Sequence, residues 1–306
     1  MSDAFLIYQF SLDGLLTISA AWLAQRALNP SSGVLGQLIA WGLALLLLVT
    51  ASGEILSGLG ALGSKGFLLA HAGAFFGLAS WRRNNLADDA AALGGLGRKC
   101  IEILWSSRLV AGLSAVLAII YIGFILLAVH GEPVVYDALT YRLSRLGLWL
   151  QEGRITHFAT DDARLNYMPV APDLVMAWLA AAHRTGFAWV ALAQTLGGGL
   201  LLVAMAGLAR CTGLGRAAAL GAAGLLLGMA NVGPQFSAAY TDLFTAGIFA
   251  AAFYLWLIAL QRDQGSVGRG SLWPLDLGAL YFIWRRVFWG GWCGALGAIG
   301  WLAARG

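Results

Sequence analysis

The sequence predicts an all-α protein: a polytopic transmembrane helix bundle of about eight spans, with a long outer loop carrying an interfacial amphipathic helix. Three observations predict it. Hydrophobic residues make up 59% of the 306 residues and charged residues only 11%, less than half the roughly 25% of a soluble domain. Apolar runs long enough to cross a bilayer, or nearly so, recur along the chain. The basic residues sit between those runs and form no continuous stripe. The net charge of +4 therefore marks cytoplasmic loops and not a nucleic-acid surface.

The runs are 4–25, 34–57, 62–81, 109–130, 187–209, 215–233, 242–261 and 286–304. The first is a marginal span because it contains Gln9 and Asp13, and the third because it is short and Gly-rich. The start, MSDAFLIYQF, has no positively charged region, so insertion is expected through the helices themselves and not a cleaved signal peptide. Residues 82–108 hold Arg82, Arg83, Arg98, Lys99 and Arg108 against Asp88, Asp89 and Glu102, which places them in the cytoplasm. Arg210 with Arg216, and Arg262 with Arg269, mark the next loops in phase, and Arg285 with Arg286 a further cytoplasmic end. The stretch from Glu132 to Asp173 lies one span away. Its basic residues are Arg142, Arg145, Arg154 and Arg164, and its acids Glu132, Asp137, Glu152, Asp161, Asp162 and Asp173, so it fits the outer face. The phase requires that 172–183 does not cross. At about a dozen residues it is too short to span and reads as an interfacial or re-entrant helix.

Within the outer loop, Leu139, Leu143, Leu146 and Leu150 recur at helical spacing, with Thr140, Ser144 and Gln151 opposite. This predicts a helix lying on the membrane surface, with Asp137 at its N-terminal end and Tyr141 and Trp149 at the headgroup level. Residues 1–108 form N-terminal transmembrane helices and a cytoplasmic loop, and 109–306 the main transmembrane region.

Two acids stand out. Asp137, in YDALTY just past a span, can act as a general base toward a hydroxyl or hold a divalent cation (Mg²⁺ or Mn²⁺) against a phosphate. Asp242 opens the span after GPQFSAAYT and falls on the same side. For both, the plainer alternative is a helix N-cap. In THFATDDARLNYMP, Arg164 can grip a phosphate and Tyr167 can donate to one. His157, Asp161 and Asp162 are too loosely spaced to specify a metal site, and Asp161 and Asp162 also suit a solvated turn. Cys100, Cys211 and Cys293 form neither a disulfide framework nor a zinc motif. GGLGRK lacks the P-loop spacing, the glycines of LGGGLLL suit close helix packing, and His71, His130 and His183 are isolated in sequence.

The run VVYDALTYRLSRLGLWLQEG, then Thr160 and Arg164 with a proline-containing segment, then PQFSAAYTDL two runs later, resembles the GT-C superfamily of integral membrane glycosyltransferases. The likeness is to bacterial relatives of dolichyl-phosphate-mannose protein mannosyltransferases and lipid A aminoarabinose transferases, over roughly residues 110–260. Arg142 and Ser144 stand where those relatives often carry a histidine and a proline, and their Pro-Pro pair is split here as Pro169 and Pro172. The resemblance implies a polyprenyl-phosphate sugar as donor and a glycan, lipid or protein as acceptor. It also implies an active site on the outer face of a bacterial inner membrane. Asp137 and Asp242 would be the catalytic acids, and Tyr141, Arg142, Arg164 and Tyr167 would contact substrate. Such enzymes usually continue through several more helices, so the C-terminal part of the catalytic region is expected to be incomplete.

Overall fold

The computed structural model describes residues 3–28, 33–181, 187 and 189–264. They form α-helices and short 3₁₀ and π turns, with no strand among the described residues. The helices are α1 (Asp3–Leu28), α2 (Val34–Gly58), α3 (Ser64–Trp81), α4 (Leu86–Leu104), α5 (Arg108–His130), α6 (Leu143–Glu152), α7 (Arg164–Tyr167), α8 (Ala171–Ala181), α9 (Leu192–Cys211), α10 (Arg216–Gly228) and α11 (Asp242–Gln264). Four of the described helices are long and apolar enough to cross a membrane: α2, α5, α9 and α11. The run at 215–233, expected to be long enough to span or nearly so, forms a 13-residue helix, α10, followed by a turn and a short 3₁₀ segment at Gly233–Ser237. A helix of that length rises only about 20 Å. The run at 286–304, with Arg269, Arg285 and Arg286, lies outside the described residues.

Helix contacts define the two ends of the bundle. In the C-terminal half of α5, the Tyr121 hydroxyl donates to Thr195 O (2.9 Å) and Phe124 stacks on Phe236. The start of α9, the 3₁₀ segment and the start of α11 therefore gather near the C-terminal half of α5. The Gln194 carboxamide on α9 accepts the Phe244 N–H of α11 at 3.1 Å. On the other flank, Leu62 N–H donates to Gly153 O (2.7 Å) and Ile155 N–H to Ser57 Oγ (2.8 Å), which ties the exit of α2 to the segment after α6. The 131–169 segment and Asp242 thus share one end. Helix α4 closes the opposite end, where Asp89 meets Arg26 of α1 and Arg82 at the end of α3.

The helices approach closely where side chains are smallest. A Cβ on Gly197 would meet the Phe244 backbone, one on Gly247 would meet Gly197 O, and one on Gly198 would press the Phe236 ring. The run LGGGLLL thus seats α9 against α11 with its backbone nearly bare. Gly197→Val should therefore lower stability by about 2–3 kcal/mol through overpacking. Gly94→Ala on α4, where a Cβ meets nothing within 4 Å, should be neutral or mildly stabilising. Thermal unfolding of detergent-purified variants by fluorescence-detected size exclusion checks both.

Helix α8 is buried along residues 171–180 and packs against α2, α3, α6 and α9. It is too short to span, as expected, and protein covers it along that length. Beneath it lies a polar joint that the sequence reading missed. His71 Nδ1 lies 2.7 Å from Asp13 Oδ1, the Trp178 indole donates to Asp13 Oδ2 (2.8 Å), and Thr17 Oγ1 lies 2.8 Å from His71 Nδ1. His71, isolated in sequence, joins α1, α3 and α8 in space. The same contacts explain how α1 carries an acid among apolar helices: buried carboxylates persist where they are hydrogen-bonded.

Candidate functional site

The chain leaves α5 at Gly131 and turns into Tyr136-Asp137, a π turn at Ala138–Arg142 and then α6. The Leu143 N–H bonds to Ala138 O, so one extra residue is wound into that turn. The insertion rotates everything before Leu143 relative to a regular helix. Leu139 swings out and is 56% exposed, while Tyr141 and Arg142 turn inward at 1% and 5%. The expected stripe of Leu139, Leu143, Leu146 and Leu150 is thus broken at its first member. The face that packs is Ala138, Tyr141, Arg142, Leu143, Arg145, Leu146 and Trp149. Trp149 and Tyr141, expected at the headgroup level, are both covered by protein, and the Trp149 indole donates to Thr156 O at 3.2 Å.

The buried layer is ionic. Arg142 Nη1 donates to Asp173 Oδ1 at 3.0 Å, and Arg145 Nη2 contacts Asp173 Oδ2 directly. Arg142 Nη2 donates to the Tyr141 hydroxyl at 2.9 Å. Arg145 Nη1 also donates to Met168 O (3.1 Å), and its guanidinium lies 4.9 Å from the Trp149 ring centre. One carboxylate on α8 therefore anchors two arginines of the π turn and α6, and Arg145 ties in the chain at Met168. Arg142 and Tyr141, expected to contact substrate, are buried at 5% and 1% within this network. Asp173 and Arg145 are the residues that sequence reasoning passed over. The available signal was a lone acid in APDLVMAWLAA, an apolar stretch in which an unpaired charge would not be tolerated.

Above that layer is an exposed one. Asp137 is 43% exposed at its side chain, does not cap the helix with it, and lies 3.6 Å from Arg164. Arg164 donates from Nε to Asp162 Oδ1 (2.9 Å) and from Nη2 to Asp162 Oδ2 (2.7 Å), and its guanidinium rests 4.8 Å over the Tyr141 ring. The Asp162 hydrogen bonds raise the Arg164 guanidinium above its ordinary range, with a further contribution from Tyr136. Arg164 in turn holds the Asp162 carboxyl below the usual carboxylate range. Asn166 locks the loop with a reciprocal pair to Phe158, 2.9 Å each way. Tyr167 is exposed at the end of α7. Asp242 is exposed at the first residue of α11, where it complements the helix dipole, and the Phe244 N–H is taken by Gln194.

The structure thus brings Asp137, Arg164 and the ring of Tyr141 together and places Tyr167 on the same short helix as Arg164. Asp242 shares the end of the bundle, and no hydrogen bond or ion pair among the described residues joins it to the others. No group of three or more His, Cys, Asp or Glu residues able to hold a metal occurs among the described residues. Asp137 and Asp162 converge on the single guanidinium of Arg164. That donor set suits at most a hydrated divalent cation shared with a substrate phosphate, with Arg164 displaced.

The Asp162–Arg164 pairing sets a pH expectation. Because the folded carboxyl sits below its unfolded value, the stabilisation is present above about pH 4 and is lost as pH falls through the folded value. Loop order should therefore be constant between pH 5 and 8, and Asp162→Asn should abolish its acid limb. Limited proteolysis of the 153–169 segment across pH measures this.

A search for relatives finds none: no family model, no curated protein and no solved structure matches the chain.

Proposed function

We propose that this chain is an integral membrane glycosyltransferase of the GT-C type. It transfers a sugar from a polyprenyl-phosphate donor to a lipid, glycan or protein acceptor, with inversion, at the outer face of a bacterial inner membrane. In this reading the bundle has about eight spans: α1 and α3 join the four long apolar helices, the 215–233 segment crosses as α10 with the turn after it, and the run at 286–304 supplies the last. The observation that carries the proposal is the paired layer at one end: an exposed carboxylate, Asp137, beside a cationic Arg164, on a loop fixed from below by Asp173. A lipid phosphate is already a good leaving group. The protein must hold an acceptor hydroxyl opposite the sugar and offset charge on the departing phosphate. Asp137 accepts the hydroxyl proton, and Arg164 faces the phosphate when it exchanges Asp162 for the donor. Asp242 serves as a second acid at the same end, and Tyr167 lends a hydroxyl to the donor.

The test is sugar transfer in membranes expressing the chain, with radiolabelled polyprenyl-phosphate sugars, for wild type, Asp137→Asn and Asp242→Asn at matched protein levels. Loss in Asp137→Asn supports the reading, and wild-type activity unaffected by either substitution rejects the assignment of both acids.

A second reading, a transporter or flippase for a lipid-linked or small solute, draws on a different observation. The Asp13–His71 pair lies buried within the bundle beside the short helix α8. Ionisable pairs and short, interrupted helices at membrane depth are features of transporters. Solute uptake abolished by Asp13→Asn in a chain without transferase activity would favour it.

A further inference from the structure

Helix α4 has three sides. Asp89, Ala92, Leu96 and Cys100 recur at helical spacing and face the bundle, with Leu96 packed in a cluster with Trp22 and Leu23. The inner face is pinned by charge: Arg82 Nε donates to Asp89 Oδ2 at 2.6 Å, Arg26 Nε to Oδ1 at 3.1 Å, and the Trp22 indole to Asp89 O at 3.1 Å. These bonds hold the Asp89 carboxyl below its ordinary range, with Arg82 contributing most. At about 100° per residue, a second side carries Leu86, Leu93, Ile101 and Leu104, which are 38%, 41%, 60% and 40% exposed. The third side carries Asp88, Arg98, Lys99 and Glu102, all exposed.

A helix with one side on protein, one bare and apolar, and one charged fits the edge of a bilayer. Two further observations say what covers the bare side. It continues into α5, which buries little beyond Val110 and Ala128 and is long and apolar enough to cross a membrane. It is also flanked by Trp81 and Trp105, 71% and 76% exposed, residues that prefer the headgroup layer. The exposed charge around it is biased, with Arg83, Arg98, Lys99 and Arg108 against Asp88 and Glu102. The one remaining acid, Asp89, is already neutralised inside.

We infer that α4 is a docking surface for anionic phospholipid headgroups, with its apolar side in the acyl boundary and Arg83, Arg98 and Lys99 against the phosphates. This rests on the chain being a membrane protein and is independent of the transferase proposal.

The test is lipid retention from nanodiscs of phosphatidylglycerol mixed with phosphatidylcholine of the same acyl chains, read by native mass spectrometry of the full chain. Wild type should retain phosphatidylglycerol preferentially, and the preference should fall as salt rises. The triple variant Arg83→Gln, Arg98→Gln, Lys99→Gln should lose about fivefold in preference for each charge removed. Lys65→Gln with Arg154→Gln, at the other end, should leave it unchanged. Equal retention of the two lipids by wild type overturns the inference, as does a preference that survives the triple substitution. A change from dimer to monomer in Leu93→Glu with Ile101→Glu also overturns it, because the apolar side would then cover a second copy.

Discussion

Asp137→Asn should reduce sugar transfer by at least about a hundredfold, the lower end of what a positioned general base contributes, while leaving the bundle folded. The second half of that expectation follows from geometry. The carboxylate is 43% exposed, makes no cap hydrogen bond, and meets Arg164 only at 3.6 Å. An exposed pair of that kind contributes about 0–1 kcal/mol. Loss of transfer with an unchanged melting profile is therefore the diagnostic combination. Arg164→Lys should fall between wild type and Asp137→Asn, because an ammonium keeps the charge and loses the planar fork that spans Asp162.

Asp173→Asn is expected to have the largest effect on stability, about 3–5 kcal/mol, because it leaves two buried guanidiniums without their counter-charge. The expected result is low yield, or a chain that elutes as aggregate in fluorescence-detected size exclusion. The variant carrying Arg142→Met, Arg145→Met and Asp173→Leu together separates charge imbalance from shape. It removes all three charges, so stability should recover in part. The recovery should stay incomplete because Met168 O loses the donor supplied by Arg145. If the single and triple variants are equally damaged, packing and not charge holds this layer.

The helical class was legible because apolar length and composition report it directly. Helices α2, α5, α9 and α11 begin or end within a few residues of the expected runs. The glycines of LGGGLLL were also legible, since a small side chain has few other uses in such a helix. The orientation of Tyr141 and Arg142 was not. A single extra residue in the π turn at Ala138–Arg142 shifts the phase of the helix, and no propensity or pattern marks where it falls. The partners of buried charges were hidden for another reason. Asp173 and Arg142 are thirty-one positions apart, and Asp13 and Trp178 one hundred and sixty-five. Hydropathy registers an acid in an apolar run only as a blemish. It cannot show that Asp13 meets both an imidazole and an indole, or that α1 can carry its acid for that reason.

The enclosure of α8 has a consequence for biogenesis. Its ten leading residues face protein on every side, and its one acid is satisfied only by arginines already synthesised. A segment so short and bearing a carboxylate is a poor candidate for independent insertion. It should enter the bundle as a passenger, packing between α2 and α9 once both are in place. A nascent chain halted between α8 and α9 should therefore leave Asp173 exposed to quality-control proteases, whereas one halted after α9 should not.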